Sequence, residues 1–337
     1  MKAYKNGIRL LCFLCLAAFL LDLADCVLRV KSPHGVDQMR YLYAQPRNKI
    51  DVLFLGTSHM HCNVDTQILW EEYGIAAYLC TGAEQPLWNS YYALKEALKT
   101  QKPRLVVLDV FGPARFLDDY QQQWLDENLG GMKRSFNKWE AVKASTPENR
   151  LEFFLGYPRY HDRYGKLTQE DFSGFFWNAG EMARWKGYTP LTGCASLTEP
   201  DMGHVTASRP ITEKSQRYLD KIVELTREEG IGLALLSAPY LLEEEDQEAY
   251  NFLKGLAREG DLLFLDCNTT EAYRQMGLDF SSDYADHAHL NEGGSAKFTA
   301  FLGDWIKTNY EIPDRRQEKG YGSWENQFRR QAVPGAV

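Results

Sequence analysis

Short apolar runs alternate along the chain with longer segments in which apolar residues recur at helical spacing. The apolar runs predict strands at residues 51–55, 76–80, 104–110, 231–237 and 261–266. The longer segments predict helices at 65–73, 87–100, 212–229, 244–258 and 292–308. Apolar strands that alternate with helices are typical of a parallel sheet covered on both faces. The pattern therefore predicts an α/β protein: a three-layer α/β/α, flavodoxin-like fold with about five parallel strands.

The alternation of strands and helices stops between Phe111 and about Ile211. This stretch is rich in Trp, Tyr and Phe and is broken by Pro and Gly. We interpret residues 112–210 as an aromatic-rich, mostly helical insertion that leaves the carboxyl edge of the third strand. Segments at that edge often cover or bind substrates, so the insertion is a candidate lid or substrate platform.

The amino terminus carries a targeting signal. Lys2, Lys5 and Arg9 precede an uninterrupted apolar run, Leu10–Leu21. The positive flank predicts that this end stays in the cytoplasm. The run is shorter than the roughly 20 residues of a spanning helix and also fits a signal peptide. Because no A-x-A cleavage site follows, we favour an uncleaved signal anchor. In either case the globular part lies outside the cytoplasm.

These patterns divide the chain into four parts. We expect a transmembrane signal anchor at 1–30, a polar linker at 31–49, a globular domain at 50–310 and a polar tail at 311–337. A chain of 337 residues can bury a large core, and its net charge of −8 argues against a nucleic-acid partner. The membrane, through the N-terminal helix, is an expected partner.

The cysteine pattern leaves two possibilities open. Cys12, Cys15 and Cys26 lie in or beside the apolar N-terminal segment. The other four could form two disulfides in an exported domain or remain as buried thiols: Cys62, Cys80, Cys194 and Cys267. No CxxC pair occurs, so a structural zinc site is not expected. We expect no cofactor.

The first candidate for chemistry is the stretch DVLFLGTSHMHC at residues 51–62. It places Ser58 at the turn between the first strand and the following helix. A serine at this position presents its hydroxyl at the carboxyl edge of the sheet, beside unpaired backbone N–H groups. Ser58 is therefore a candidate nucleophile, and the alternative is that it only caps the helix.

A second stretch, DYADHAHLNEGGSAK at residues 283–297, supplies the partners that a nucleophilic serine needs. Asp286 and His289 are spaced as DxxH, directly before a predicted helix. A histidine can take the serine proton, and a carboxylate can orient the histidine and stabilise its charged form. The spacing lets Asp286 reach the far side of the His289 ring across one turn. The three residues form a candidate catalytic set.

The order Ser, then Asp-x-x-His, with GxS after the first strand, resembles the SGNH/GDSL hydrolase superfamily, in particular its membrane-anchored cell-envelope branch. The resemblance covers about 48–110 and 210–308. Thr57 stands where the superfamily has Asp. The resemblance implies that Gly82, after the second strand, donates its N–H to an oxyanion hole. The asparagine of the third block is missing from residues 109–113, and the side-chain amide of Gln85 or Asn89 could replace it.

Other residues support alternative interpretations. The pairs His59-x-His61 and His287-x-His289 could cluster around a metal, which would make the protein a metal-dependent hydrolase. His161 lies in the insertion and could contact substrate or simply lie on the surface. Since the third oxyanion block is missing, the chain could also be a non-catalytic envelope scaffold or binding protein.

The combined patterns predict an extracytoplasmic serine esterase or O-acyltransferase. The resemblance extends to alginate O-acetylation proteins and to the D-alanine-transfer protein of teichoic acid modification. It implies that the substrate is an acyl ester, with acetyl the best guess, on a cell-surface polysaccharide or another acylated envelope glycan. Hydrolysis and transfer use the same acyl-enzyme, so the sequence does not separate them.

Overall fold

A sheet buried on both faces requires strands that are apolar throughout, and the central strands of this chain meet that condition. The computed structural model describes residues 2–117, 122–173 and 185–325. One parallel sheet has the strand order β2-β1-β3-β4-β5. The strands are β1 Val52–Gly56, β2 Ala77–Thr81, β3 Leu105–Asp109, β4 Gly232–Ser237 and β5 Leu263–Asp266. The flavodoxin-like, three-layer prediction is confirmed.

The helices surround this sheet and mostly begin and end within a few residues of the predicted bounds. Before the insertion they are α1 Lys2–Leu28, α2 Gln38–Ala44, α3 Ser58–His61, α4 Thr66–Tyr73 and α5 Leu87–Ala97. Within it they are α6 Phe111–Arg115, α7 Leu125–Gly130, α8 Phe136–Ser145, α9 Arg150–Leu155, α10 Tyr157–Tyr160 and α11 Gln169–Ser173. After it come α12 Glu213–Glu228, α13 Glu244–Glu259, α14 Thr270–Met276, α15 Glu292–Asn309 and α16 Gly322–Glu325. Short 3-10 helices span Gln122–Trp124 and His161–Lys166, and a π-helical turn spans Pro33–Asp37.

The alternation of side chains along each strand divides the core into two apolar layers. Leu53 and Leu55 of β1 point to the layer that contains α5, α12 and α13. Val52 and Phe54 point to the opposite layer, with α4, α14 and α15. Helices cover both faces of the sheet. The loops that follow the strands converge at its carboxyl edge.

The segment 31–49 is not the polar linker that its composition predicts. Its π-helical turn and α2 pack onto the domain, and Val36, Met39 and Leu42 are buried. Gln38 is also fully buried: its Nε2 donates to the Gly187 carbonyl and its Oε1 accepts from the Thr81 N–H. A polar residue whose hydrogen bonds are satisfied inside the protein looks like a surface residue in the sequence, which explains the error.

The first part of the predicted polar tail is also packed against the domain rather than peripheral. Trp324 is fully buried, and its Nε1 donates to the Ala77 carbonyl at 3.0 Å. Arg315 forms two hydrogen bonds with Asp51, at the amino edge of the sheet. Residues 311–325 thus cover the outer strand β2, while 326–337 lie outside the described residues.

The insertion leaves the sheet after β3, as predicted, and its first half is a series of short helices. Two parts of it, 118–121 and 174–184, lie outside the described residues. Just after residue 184, the Lys186 carbonyl accepts a hydrogen bond from the Leu79 N–H of β2. The returning chain thereby protects the exposed edge of this strand from pairing with another protein.

One helix in the described part of the chain, α1, is long and apolar enough to cross a membrane. Its side chains from Tyr4 to Leu21 are almost all exposed. The seven cysteines are all free thiols, with Cys62, Cys80 and Cys267 buried and Cys194 exposed. The possibility of two disulfides is therefore wrong for this structure.

Lys186 provides a pH-dependent contribution to stability. Its ammonium donates to Gln45 Oε1 and Ser323 Oγ and lies 4.0 Å from the centre of the Trp324 ring. Burial lowers the pKa of Lys186 to about 7, from 10.5. Between these values the unfolded chain binds a proton that the folded chain does not. Stability contributed at this site therefore rises with pH from about 7 to 10.5.

We expect this dependence to disappear in Lys186→Met. Relative to that variant, the wild-type free energy of unfolding should increase by up to about 4 kcal/mol between pH 7 and pH 10. Urea unfolding of both full-length chains in the same detergent, at several pH values, measures the difference. Stability curves that run parallel across this range would contradict the burial effect.

Candidate active site

The turn after β1 brings Ser58 to the carboxyl edge of the sheet. β1 ends at Gly56, and Ser58 is the first residue of α3. The cap of this helix is Thr57, whose Oγ1 accepts from the His59 N–H at 3.3 Å. Ser58 is therefore not the helix cap, which was the alternative interpretation, and its hydroxyl is free to face the neighbouring loops.

A buried carboxylate holds this turn in place. Asp109, at the end of β3, accepts from both the N–H and the hydroxyl of Thr57, at 3.0 and 2.5 Å. Its other oxygen accepts from the Phe111 N–H at 2.9 Å. Burial raises the pKa of Asp109, and these three hydrogen bonds counteract the rise. The side chain ties the end of β1 to the start of the insertion.

Gly56 allows Asp109 to come this close. It has a φ of 141°, a conformation that favours glycine, and a Cβ placed there would lie 2.3 Å from the Cβ of Asp109. The glycine of the GTSH motif is therefore required by the packing of two neighbouring strands. This contact fixes the backbone directly before Ser58.

The DxxH segment forms a tight turn in which Asp286 orients His289. The Asp286 carboxylate lies 3.0 and 3.1 Å from His289 Nδ1 and also accepts from the N–H groups of Ala288 and His289. Burial opposes ionisation of Asp286, but the hydrogen bond from the His289 ring and the two backbone N–H groups outweigh it. They keep the pKa of Asp286 below its usual value.

The structure brings these two distant segments together. His289 Nε2 lies 2.8 Å from Ser58 Oγ, across a separation of 231 residues. Since Asp286 engages Nδ1, the imidazole carries its proton there and presents Nε2 as an acceptor for the Ser58 hydroxyl. The arrangement can remove a proton from Ser58 and stabilise the resulting imidazolium.

Asn63 positions the DxxH segment and was not identified from the sequence. This fully buried residue follows α3, and its Oδ1 accepts from the Leu290 N–H at 3.0 Å. Its carbonyl also accepts from Ser295 and Thr299 of α15. One asparagine therefore joins the serine turn to the segment that follows His289.

The oxyanion donors differ from expectation. The Gly82 N–H donates to the Gly56 carbonyl at 3.1 Å, because the ladder between β1 and β2 continues one residue past the strand. The Gln85 amide donates to Ser90 Oγ and, at 3.5 Å, to the Cys80 carbonyl. Neither group is free to bind an oxyanion in this conformation. The Ser58 N–H, in the first turn of α3, has no acceptor within its helix.

Two further expected substrate contacts lie elsewhere. Asn89 is buried in α5, where its Oδ1 accepts from Ser145 Oγ at 3.0 Å. His161 is exposed, and its Nδ1 lies 2.7 Å from the Pro158 carbonyl. Neither has a hydrogen bond with Ser58, Asp286 or His289 in the described structure. A role for these residues in binding substrate stays a prediction.

The four histidines of the HxH pairs do not converge on a metal site. His59 packs between Phe111 and Tyr240, whereas His61 bonds through Nδ1 with Thr81 Oγ1 at 3.0 Å. Burial lowers the pKa of both rings well below the usual value, so both are neutral. In the chain as described, no group of three or more His, Cys, Asp or Glu side chains is placed to hold a metal ion.

His34 approaches the site from the segment that was predicted to be a linker. Its ring stacks on His61 with 4.1 Å between ring centres, and its Nε2 is buried with no hydrogen-bond partner among the described residues. Burial lowers the pKa of His34, and the charges of Glu127 and His289 also act on it. No local motif marks this histidine, so the sequence gives no signal for it.

Comparisons with known proteins provide little beyond this geometry. No protein-family model matches the chain, and no curated protein matches it. Among solved structures, the chain is similar to a protein from Bacteroides fragilis described as a "putative acylhydrolase". The match has a TM-score of 0.37 and 11% identity and covers 79% of this chain and 92% of that one.

We expect Gly56→Ala to destabilise the protein and to displace Ser58, because the added methyl group meets Asp109. Overpacking and backbone strain together should lower the free energy of unfolding by about 3 kcal/mol or more. Gly277→Ala is the control: Gly277 has a φ of 66° but open space around it, so only the strain of about 1–2 kcal/mol applies. Equal losses in the two variants, measured by chemical unfolding, would show that the contact with Asp109 is unimportant.

Proposed function

We propose that this chain is a serine esterase or O-acyltransferase that works through an acyl-enzyme on Ser58. The observation that carries the proposal is the pair of contacts made by His289: 2.8 Å from Nε2 to Ser58 Oγ and 3.0 Å from Nδ1 to Asp286. These distances lie within the range for a nucleophile, its base and the group that orients the base. The motifs that resemble the SGNH hydrolases support the same assignment.

In the proposed reaction, Ser58 Oγ attacks the carbonyl carbon of an acyl ester while His289 Nε2 takes the hydroxyl proton. The carbonyl oxygen then carries the negative charge of the tetrahedral intermediate. Collapse of the intermediate breaks the bond to the leaving oxygen, and His289 returns the proton to it. Asp286 stabilises the imidazolium between these steps. The products of this half-reaction are an alcohol and an acylated Ser58.

The second half-reaction repeats these steps with a different hydroxyl. Water, activated by His289, would release the free acid and give hydrolysis. A sugar hydroxyl in the same position would receive the acyl group and give transfer. The insertion leaves the sheet after β3, and transfer would require it to exclude water and to position the sugar acceptor.

The Ser58 N–H is the backbone donor that the proposal assigns to the oxyanion. It lies at the amino end of α3, where N–H groups lack helical acceptors, and it moves with the nucleophile. With Gly82 and Gln85 engaged elsewhere, a further donor has to come from a rearrangement on substrate binding. One missing donor typically costs about 3 kcal/mol of transition-state stabilisation.

The proposed substrate is an acetylated polysaccharide, or another acylated glycan, of the cell envelope. Two features support this choice: the resemblance to envelope acyl-transfer proteins, and the N-terminal helix α1, which is long and apolar enough to anchor the domain. The cationic residues before the apolar run favour a cytoplasmic amino end. The globular domain would then face the envelope.

A non-catalytic envelope scaffold or binding protein is the second candidate function. The specific observation in its favour is that the Gly82 N–H and the Gln85 amide are both used in internal hydrogen bonds. An acyl-transfer enzyme without a second oxyanion donor would be slow. The two candidates differ in whether Ser58 becomes acylated.

We expect the full chain in detergent to react with p-nitrophenyl acetate and Ser58→Ala to show no such reaction. Asp286→Asn should lower the rate by about 10²–10⁴-fold, since the histidine then loses the carboxylate that holds its tautomer. Release of p-nitrophenol, with a mass increase of one acetyl group on Ser58, measures the reaction. Ser281→Ala, a change at an exposed serine, is the control and should behave like the wild type.

The pattern of turnover separates the outcomes. Continuous turnover indicates an esterase, and a single burst that resumes on adding a polysaccharide acceptor indicates a transferase. Acetylation that is equal in wild type and Ser58→Ala would reject the proposed mechanism. In that case the scaffold function would be preferred.

The proposed location predicts the reactivity of Cys194. This exposed thiol lies in the globular part of the chain. A maleimide that cannot cross membranes should label it in intact cells with an accessible cell surface. The label on the fragment containing residue 194 should disappear in Cys194→Ser. If labelling requires disruption of the membrane, the domain is on the cytoplasmic side and the proposed location is wrong.

A further inference from the structure

The apolar run of α1 is too short to cross a bilayer by itself. Leu10–Leu21 is 12 residues long, or about 18 Å at 1.5 Å per residue. The hydrocarbon core of a bilayer is about 30 Å thick. A full crossing therefore extends beyond this run, and the apolar helix that could provide it, Tyr4–Leu28, includes Asp22 and Asp25.

The insertion contacts both acidic residues, of which Asp22 is exposed and Asp25 is buried. Asp22 pairs with Arg134, which precedes α8, and Arg134 also donates to the Leu155 carbonyl of α9. Asp25 pairs with Arg29 and is only 1% exposed, because Gly156 packs directly against its carboxylate. Arg134 of the insertion thus neutralises Asp22, whereas Asp25 is neutralised by Arg29 and packed against by the insertion.

The contacts continue around the carboxyl end of α1. Arg163 donates to the carbonyls of Leu28 and Arg29, and it also pairs with Asp171 of α11. Asp171 in turn pairs with Lys31. The insertion therefore holds α1 from Asp22 to beyond Leu28, a length of about 9 Å.

The same elements of the insertion expose large apolar side chains. We call this set the apolar rim: Phe136, Leu151, Leu155, Tyr164 and Phe172, with exposed fractions of 78, 64, 39, 77 and 51%. Tyr164 and Phe172 directly follow Arg163 and Asp171, and Leu155 directly precedes Gly156. Leu151 lies one helical turn before Leu155, on the same side of α9. Apolar side chains exposed to this degree at one end of a domain indicate an interaction surface.

We propose that the apolar rim inserts into the surface of the lipid bilayer beside α1, at the boundary between head groups and acyl chains. This proposal rests on the proposed membrane location of the chain. A lipid surface fits better than a protein partner because the residues beside the rim contact the last turns of α1, the helix that is long and apolar enough to cross a membrane. Apolar side chains at this boundary enter about 5–10 Å, similar to the length of α1 that the insertion holds.

Entry of the apolar rim into the bilayer would have a consequence for the substrate. Ion pairs and hydrogen bonds join α1 to the insertion, so the Ser58 site would stay at a constant distance from the bilayer. The proposal therefore restricts the substrate to acyl esters that can reach the site at this fixed distance from the membrane.

The test uses photoreactive benzoylphenylalanine in the full chain, reconstituted in vesicles of phosphatidylcholine and phosphatidylglycerol. Benzoylphenylalanine replaces one residue at a time, at Phe136 or Leu151 in the rim and at Phe13 or Leu263 outside it. Phe13, an exposed residue of the α1 apolar run, reports on insertion of the helix itself. Leu263, 42% exposed at the start of β5 and outside the insertion, is the matched control for an exposed leucine. Mass spectrometry measures phospholipid adducts after illumination.

We expect adducts at positions 13, 136 and 151, with yields in the rim at least fivefold above that at position 263. Adducts at 13 with yields at 136 and 151 equal to that at 263 would overturn the proposal and leave the anchor in place. Crosslinks from the rim to a second copy of the chain, instead of to lipid, would also overturn it. Absence of adducts at position 13 would reject the membrane location and the rim together, whereas acylation of Ser58 is measured independently of both.

Discussion

The close approach of the first and third strands at their carboxyl ends is the constraint on which the site depends. Asp109 can lie against Gly56 only because glycine has no side chain, and from there it takes three hydrogen bonds from the turns on either side. Hydrogen bonds to a charged acceptor are typically worth about 1.5–3 kcal/mol each. The same carboxylate therefore fixes the turn that carries Ser58 and the point where the insertion begins.

The parallel sheet supplies the second requirement, which is to bring residues from the two ends of the domain together. All five strands point their carboxyl ends to one edge, so the turn after β1 and the loop before α15 meet there. Asn63 then links them with one side chain, by accepting from the Leu290 N–H. Ser58 and His289 reach hydrogen-bond distance because their neighbours in the chain are held in place. The Thr57 N–H donates to Asp109, and the Leu290 N–H donates to Asn63.

Charged and polar groups connect the rest of the molecule to this framework. Gln38 and Trp324 form hydrogen bonds with the backbone of β2. The Asp22 carboxylate pairs with Arg134 of the insertion, and the Asp25 carboxylate packs against Gly156. Gln38 and Trp324 lie in segments that are polar by composition, whereas Asp22 and Asp25 lie in an apolar helix. These groups attach α1, residues 31–49 and residues 311–325 to the rest of the structure.

The sequence by itself determined the sheet, its flanking helices and the residues Ser58, Asp286 and His289, because strand and helix periodicity and the DxxH spacing are local patterns. Only the tertiary structure decided the hydrogen-bond partners of Gly82, Gln85 and Asn63 and the position of His34 against His61. It also decided the packing of residues 31–49 and 311–325. A buried polar group is stabilised by partners that are distant in the chain. Its sequence therefore resembles that of a surface group until the fold provides those partners.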